Sequence, residues 1–347
     1  MKKLFYLSVR TILSLYNIFY FRRFRVIGKQ NIPKDGGILF SPNHQNAFLD
    51  PLIVGVTCGK SVNSLTRSDV FGGPFQWFLD ALQTMPIYRI RDGYASLRKN
   101  EAVFEKCHAL LGKQENTMMF SEGQHHDEYY LLRLSKGSSR LALESQFKYS
   151  DKKIYLQPVG INYGNYFHAQ HDCTVVYGKP ICLQEYLDDY TENSSKAVNK
   201  VRDKLQNAME DCLWIPKNDS EYVSKKRFIN RHNTKLPFDE FKKQLLKSNN
   251  KLREKTKSSS ILKIFIVLLS IPNLFPLLAI KSLIRLFKDH VFWGSVNYFG
   301  GLIVFLIWWG FSLILLTQWL SIAWGIAFLS GSLVCLYVRQ KLIIYNL

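Results

Sequence analysis

A polar cluster containing one histidine and one aspartate directly follows an apolar run near the start of the chain. It reads Ser-Pro-Asn-His-Gln-Asn-Ala-Phe-Leu-Asp-Pro over residues 41–51 and contains His44 and Asp50. When a carboxylate fixes one ring nitrogen of an imidazole as a donor, the other nitrogen can take a proton from an alcohol. The pair therefore predicts a general base that lets an acceptor hydroxyl attack an activated acyl group, without a serine or cysteine nucleophile.

The spacing of this pair also allows a structural interpretation. Six positions on one continuous helix would place His44 and Asp50 about 240° apart, so a turn must intervene before they can meet. Pro51 favours the first position of a helix, which predicts Asp50 as the N-cap residue. In the alternative interpretation, Asp50 only caps a helix and His44 is a loop residue held by backbone groups.

A second polar cluster, Phe-Ser-Glu-Gly-Gln-His-His-Asp, occupies residues 120–127. Adjacent side chains seldom converge on one ion without distant ligands, and no second cluster has ligand spacing, so neither a metal nor another cofactor is predicted. Arg133, Lys136 and Arg140 would share one side of a helix beginning near Ser135, which suits a phosphate. The alternative is a solvated basic face.

A third cluster, Met-Pro-Ile-Tyr-Arg-Ile-Arg-Asp-Gly, occupies residues 85–93. Arg89 and Arg91 alternate, so in an extended segment they share one face. One of them could offer a bidentate fork to a phosphate while the other pairs with Asp92.

The segment that must position these clusters, residues 25–214, alternates short apolar runs with helical stretches, which is typical of an α/β domain. Strands are predicted at residues 37–41, 117–120, 154–159 and 174–177, and helices near residues 51–58, 94–111, 135–146 and 194–213. Ligands bind at strand ends in open α/β sheets. The site is therefore expected in the loops at residues 43–50, 121–127 and 159–163.

The last part of the chain predicts membrane attachment. Residues 291–338 carry no formal charge, and two helices that cross a bilayer need about 40 such residues. We expect spans at residues 298–316 and 320–338, joined by a turn at Thr317 and Gln318. Residues 264–280 are also uncharged but contain Pro272 and Pro276, and basic residues flank both ends, which favours a dip into one leaflet over a crossing.

The net charge of the chain indicates which kind of membrane surface it binds. The chain has 46 Lys and Arg against 27 Asp and Glu, a formal charge of +19. The basic residues cluster near the apolar segments, which predicts attraction to anionic lipid on the cytoplasmic side. Nucleic acid is not expected as a partner, because groove-fitting motifs and aromatic platforms are missing. The six cysteines form no compact framework, which fits a reducing compartment.

The expected organisation has five parts. The first is an interfacial membrane helix at residues 1–24, for which a first core helix is the alternative. The remaining parts are the α/β domain at residues 25–214, a basic helical linker at 215–258, a membrane-dipping segment with a basic loop at 259–290, and a two-helix transmembrane anchor at 291–347.

In this order, the clusters resemble the motif blocks of the glycerophospholipid acyltransferase family, which includes glycerol-3-phosphate and lysophosphatidate acyltransferases. Asn43, His44 and Asp50 match the first block, with five residues between His and Asp where four are usual. This longer spacing resembles the branch that acts on glycerol-3-phosphate or dihydroxyacetone phosphate in fungi and its bacterial relatives.

The other blocks follow along roughly half of the chain, from about residue 25 to residue 180. Pro86 and Arg89 match the second block, residues 120–123 match the third with Ser121 in place of proline, and residues 157–160 match the fourth. His126, Asp127, Leu132 and the Lys-Gly at 136–137 resemble further residues of that branch, with altered spacing.

The resemblance implies roles and a fold. It implies His44 as general base, Asp50 as its orienting partner, and Arg89, Glu122 and Gly123 as acceptor-binding residues. Lys136 would add to the phosphate site. The implied fold is an α/β domain with a mixed β-sheet flanked by helices, followed by the C-terminal transmembrane helical hairpin.

The implied function is that of a membrane-bound acyltransferase in phospholipid biosynthesis. It would move a fatty acyl group from acyl-CoA or acyl carrier protein to glycerol-3-phosphate or dihydroxyacetone phosphate, with membrane lipids as further partners. The alternatives are a lysophosphatidate acyltransferase, an acyltransferase for a lipid without phosphate, a histidine-assisted phospholipase and a non-catalytic membrane adaptor.

Overall fold

The computed structural model describes residues 2–73, 76–88, 98–247 and 260–343. Their centre is a mixed sheet of eight strands in the order β1-β7-β6-β2-β5-β3-β4, with β8 paired to β6. The strands are β1 Arg23–Ile27, β2 Gly37–Pro42, β3 Asn63–Arg67, β4 Thr84–Ile87, β5 Asn116–Met118, β6 Ile154–Tyr163, β7 Asp172–Tyr177 and β8 Ile181–Cys182. The four predicted strands are present, and four more join them.

Strand direction divides the sheet in two. Strands β6, β2, β5, β3 and β4 run parallel to one another. Strand β7 is antiparallel to β6, and β1 is parallel to β7. The carboxyl ends of the five parallel strands therefore meet along one edge, which is where such sheets bind ligands.

Helices cover both faces of this sheet and continue beyond it. They are α1 Lys2–Tyr20, α2 Leu49–Thr57, α3 Gln76–Ala81, α4 Lys99–Gly112, α5 Gly137–Lys148, α6 Leu187–Glu192, α7 Ser194–Asp211, α8 Tyr222–Phe228, α9 Phe238–Lys247, α10 Ser260–Ser270, α11 Leu274–Arg285, α12 Val291–Trp319 and α13 Ile322–Leu342. The predicted fold class, a mixed sheet flanked by helices with apolar helices at the C-terminal end, is confirmed.

The apolar runs of the strands explain the two layers. Side chains of successive strand residues point to opposite faces, so a fully apolar run feeds both cores. In β2, Ile38 and Phe40 belong to the core shared with α2 and α9, while Leu39 belongs to the core shared with α4, α5 and α7. All three residues are fully buried.

Helix α1 has a buried apolar side and an exposed apolar side. Tyr6, Leu13 and Tyr20 are buried against the domain, as a core helix requires. Its other side exposes a row of large apolar side chains, as an interfacial helix requires, namely Leu7, Ile12, Leu15, Ile18 and Phe19. A helix that is apolar on both sides can pack on protein with one side and lie in lipid with the other.

Three helices of the described residues are long and apolar enough to cross a membrane, covering residues 260–285, 291–319 and 322–342. The predicted turn at Thr317 and Gln318 is wrong, because both residues still lie in α12. Backbone hydrogen bonds from Leu320 and Ser321 to the carbonyl of Leu316 close that helix, and α13 starts at Ile322. Helix α12 also starts earlier than the expected span, at Val291, and its first turns pack against the α/β domain.

A buried ion-pair cluster joins distant parts of the chain. Asp172 is almost fully buried and accepts hydrogen bonds from Arg22 at 3.0 Å and from Arg23 at 2.7 Å. Burial raises the pKa of Asp172, but the bonds from both arginines more than offset that effect and leave its pKa below the usual value. Arg231 lies beside this cluster and donates to the carbonyls of Lys341 and Ile343, so the end of α13 returns to the α/β domain.

Candidate active site

The predicted clusters meet at the carboxyl edge of the parallel strands. His44 follows β2, the segment that begins at Met119 follows β5, Arg67 ends β3 and Tyr163 ends β6. The strands place these residues side by side although they are up to about 120 positions apart in the sequence. This edge is the one at which the strand-end rule places a ligand.

His44 and Asp50 form a hydrogen-bonded pair. The distance from His44 Nδ1 to Asp50 Oδ2 is 3.0 Å. The same oxygen accepts from the backbone N–H groups of Gln45 and Asn46, each at 2.8 Å. The other carboxylate oxygen accepts from the hydroxyl of Tyr163 at 2.8 Å. Four donors to one fully buried carboxylate fix its orientation.

The prediction that Asp50 is an N-cap residue is wrong. Helix α2 begins at Leu49, Phe48 precedes it, and Asp50 lies within its first turn. The backbone carbonyl of Asn46 accepts from the N–H groups of Leu49 and Asp50, which starts the helix without a side-chain cap. The Asp50 carboxylate is therefore free to turn back towards the loop and hold His44.

The environment of His44 leaves one ring nitrogen for chemistry. Because Asp50 accepts from Nδ1, Nε2 carries the lone pair. The ring stacks on Phe120 with a centroid distance of 3.9 Å, and the His125 ring stands edge-on at 5.7 Å. Its side chain is 16% exposed, so a substrate hydroxyl can reach the ring while most of the imidazole is held by protein.

Glu122 contacts protein with both of its carboxylate oxygens. One accepts from the backbone N–H of His44 at 2.7 Å, and the other accepts from the N–H of Leu132 at 2.9 Å and contacts His126 Nε2 at 3.1 Å. Its side chain is fully buried. These contacts fix the backbone of His44, and the role of Glu122 in acceptor binding stays a prediction.

Gly123 and Lys136 lie in neighbouring turns. Gly123 has a φ of 72°, which favours glycine, and its N–H closes a turn on Phe120. The N–H and hydroxyl of Ser135 both donate to the carbonyl of Ser121, which holds the two turns together. Lys136 is exposed and directly precedes α5. Since this helix begins at Gly137, the prediction that Arg133 shares its basic side is wrong.

Arg67 adds a basic side chain at this edge of the sheet. The predicted acceptor-binding residue Arg89, like Arg91, lies outside the described residues. Arg67 was missed, because only the sheet order reveals that β3 ends at this edge. It pairs with exposed Asp69 and is close enough to His125 to influence it. Burial, and then the neighbouring charge of His44, lower the pKa of His125.

An apolar cavity of about 260 Å³ lies beside the segment that joins His44 to helix α2. Phe48 and Pro51, on either side of Leu49 and Asp50, line one end of it. The remaining wall comes from α1, α2 and the sheet, including Leu13, Val56 and Met118. The lining is mostly apolar, so the cavity can take up hydrocarbon.

The cysteines are poor candidates for a nucleophile. Cys58, Cys107, Cys173 and Cys212 are buried. Burial raises the pKa of all four thiols, to about 12 for Cys107 and Cys212. A thiol needs a lowered pKa to act as a nucleophile near neutral pH. This agrees with chemistry in which the acceptor hydroxyl attacks directly.

Comparisons with known proteins identify a sequence family and a similar solved structure. Residues 23–162 match the sequence model of the family described as Acyltransferase, and this region contains His44, Asp50 and Glu122. A search of curated proteins finds no match. Among solved structures, the chain is similar to the 1-acyl-sn-glycerophosphate (LPA) acyltransferase PlsC from Thermotoga maritima, with 17% identity and a TM-score of 0.40, over 55% of this chain and 74% of that chain.

The hydroxyl of Tyr163 gives a test of the buried carboxylate. Burial, and then the Asp50 charge, raise the pKa of Tyr163 well above its usual value, so the hydroxyl stays protonated and donates. We expect Tyr163→Phe to lower kcat roughly tenfold, since a hydrogen bond to a charged group contributes about 1.5–3 kcal/mol. The carboxylate would then hold a proton on the imidazole more strongly, so the acidic limb of the pH–rate profile should move to higher pH.

Tyr166→Phe is the matched control for this substitution. Tyr166 is a buried neighbour whose hydroxyl has no hydrogen-bond partner among the described residues, so its loss should leave both kcat and the profile unchanged. Steady-state rates between pH 5 and pH 9 check the prediction. Equal profiles for the two variants would contradict it.

Proposed function

We propose that the chain, an enzyme with an acyltransferase domain over residues 23–162, moves a fatty acyl group from acyl-CoA or acyl carrier protein to glycerol-3-phosphate or dihydroxyacetone phosphate. The observation that carries the proposal is the bond between His44 Nδ1 and Asp50, which leaves Nε2 as the base. Acylation of lysophosphatidate is the alternative that this site also accommodates.

The proposed reaction needs no covalent enzyme intermediate. His44 Nε2 takes the proton of the acceptor hydroxyl while that oxygen attacks the thioester carbonyl carbon. The carbon–sulfur bond of the tetrahedral intermediate then breaks, and the leaving thiolate receives the proton from the imidazolium. Asp50 keeps its hydrogen bond to Nδ1 and stabilises the imidazolium while it exists.

The cavity supports a long acyl chain as the donor group. It is lined almost wholly by apolar side chains and reaches the first turn of α2, which carries Asp50. A methylene chain placed there would lose contact with water at a gain of roughly 0.8 kcal/mol for each group. The thioester end would then lie at the catalytic loop, beside Nε2 of His44.

The cations at the strand ends support a phosphorylated acceptor. Arg67 ends β3 and Lys136 precedes α5, both beside the loops that hold His44. We assign the phosphate to these two residues together with Arg89, since a dianion needs several cations. Glu122 would act through the backbone of His44, and Gly123 would keep the neighbouring turn open to the acceptor.

The test is a product assay with a panel of acceptors. Purified protein is incubated with labelled acyl-CoA or acyl carrier protein and with glycerol-3-phosphate, dihydroxyacetone phosphate or lysophosphatidate. We expect labelled product from one of the first two acceptors, and a loss of about 10²–10⁴-fold in His44→Ala because the general base is removed. His232→Ala, at an exposed histidine far from the site in sequence, is the matched control and should keep wild-type turnover.

The molecule that carries the labelled acyl group at the end of the assay distinguishes the candidate functions. Product only with lysophosphatidate would select the alternative acceptor. Label found as free fatty acid with every acceptor would indicate hydrolysis and contradict the proposal. Activity of His44→Ala above a tenth of wild type would remove the general-base assignment.

We also propose that residues 260–285 dip into one leaflet and that the catalytic domain is cytoplasmic. Arg339, near the end of α13 that returns to the domain, donates to Ser270, whereas Asn273 donates to the carbonyl of Ser332, deeper in that helix. The chain between Ser270 and Asn273 therefore runs deeper along α13, away from the domain. Leu283, near the end of α11, lies next to Gly300 in the part of α12 closer to the domain. Helix α11 therefore runs back towards the domain.

Cysteine labelling in sealed vesicles of known orientation tests this topology. Only Cys182 and Cys335 of the native cysteines are partly exposed, so both are first replaced by serine. A membrane-impermeant maleimide on the extracytoplasmic side should label Ser321→Cys, in the turn before α13, but not Arg285→Cys. Labelling of Arg285→Cys from that side would mean that residues 260–285 cross the membrane.

A further inference from the structure

The first turns of the membrane helix α12 touch the catalytic loop between His44 and Asp50. The hydroxyl of Ser295 accepts from the N–H of Leu49 at 3.2 Å and donates to the carbonyl of Asn46 at 3.1 Å. Ser295 is almost fully buried. One side chain of a membrane helix therefore bonds to two backbone groups inside the five-residue spacer.

Gly294 allows this approach. A methyl group at Gly294 would overlap the carbonyl oxygen of Tyr166 and the side-chain amide of Asn46. That amide also donates to the Tyr166 carbonyl at 3.0 Å, so the helix, the loop and the segment after β6 converge here. The contact between α12 and the loop is a close backbone packing that larger residues would prevent.

The loop needs outside support because its conformation is unfavourable. Ala47 has a φ of 30°, which residues other than glycine rarely adopt. Such a residue persists only where neighbouring contacts hold it. The loop also supplies the N–H groups of Gln45 and Asn46 to the Asp50 carboxylate, so a shift of the loop would disturb the carboxylate that orients His44.

We infer that α12 is part of the catalytic machinery as well as a membrane anchor, with Ser295 and Gly294 as positioning residues for the His44–Asp50 pair. The inference rests on the proposed function in that His44 is the base. When α12 is seated on the loop, the N–H groups of the loop reach Asp50. When α12 is displaced, the loop relaxes and the base loses its orientation.

The test compares two substitutions at the contact with one elsewhere on the same helix. We expect Ser295→Ala to lower kcat at least tenfold with less than a threefold change in KM for the acyl donor or acceptor, because a small misplacement of catalytic groups is costly. The acidic limb of its pH–rate profile should move to higher pH, because the loop donors to Asp50 weaken. Gly294→Ala should lose at least as much activity.

Gly310→Ala is the matched control. Gly310 also lies in α12, and a methyl group there meets no described atom within 4 Å, so kcat and the pH profile should stay at wild-type values. If Gly294→Ala does not fold, Ser295→Ala decides. A kcat and pH profile of Ser295→Ala equal to those of Gly310→Ala would overturn the inference.

The two variants distinguish a failure of the proposed function from a failure of the inference alone. If His44→Ala stays active, the general-base assignment fails whatever Ser295→Ala does, and the inference fails with it. If His44→Ala is inactive and Ser295→Ala behaves as wild type, only the inference fails. Loss in both variants, together with a shifted pH profile in Ser295→Ala alone, supports the inference.

Discussion

A buried carboxylate that accepts four hydrogen bonds organises this active site. Asp50 binds the imidazole of His44, two backbone N–H groups of its own loop and the hydroxyl of Tyr163. An ionised carboxylate without such partners could not remain buried, because its desolvation would cost several kcal/mol. Each of these donors therefore has a double effect, stabilising the charge and setting the position of the base.

The donors come from separate parts of the fold, which makes the site depend on the whole structure. Strand β6 supplies Tyr163, the loop after β2 supplies the backbone groups, and Glu122 holds the backbone of His44 from the loop after β5. Helix α12 supports the loop from the membrane side through Ser295. In a site assembled in this way, the positions of His44 and Asp50 depend on how the domain packs against its membrane helices.

The sequence predicted the parts of the site that depend on local pattern. His44 and Glu122 lie in loops after apolar runs, Asp50 lies in the first helical turn after the loop of His44, and parallel strands bring such loops together. It did not predict the contribution of Ser295, which lies 246 positions from Leu49, because no local pattern signals contact over that distance. Asp50 was mistaken for a cap because Pro51 favours a helix start there, whereas the turn at Asn46 starts the helix earlier.

Direct attack by the acceptor hydroxyl is the central claim, and intact-protein mass spectrometry tests it most directly. The enzyme is mixed with an acyl thioester without acceptor, and its mass is followed before and after glycerol-3-phosphate is added. The account predicts an unchanged protein mass and no consumption of the thioester until the acceptor arrives. An acyl adduct on a serine or cysteine that forms first, and then decays at the rate of product formation, would contradict it.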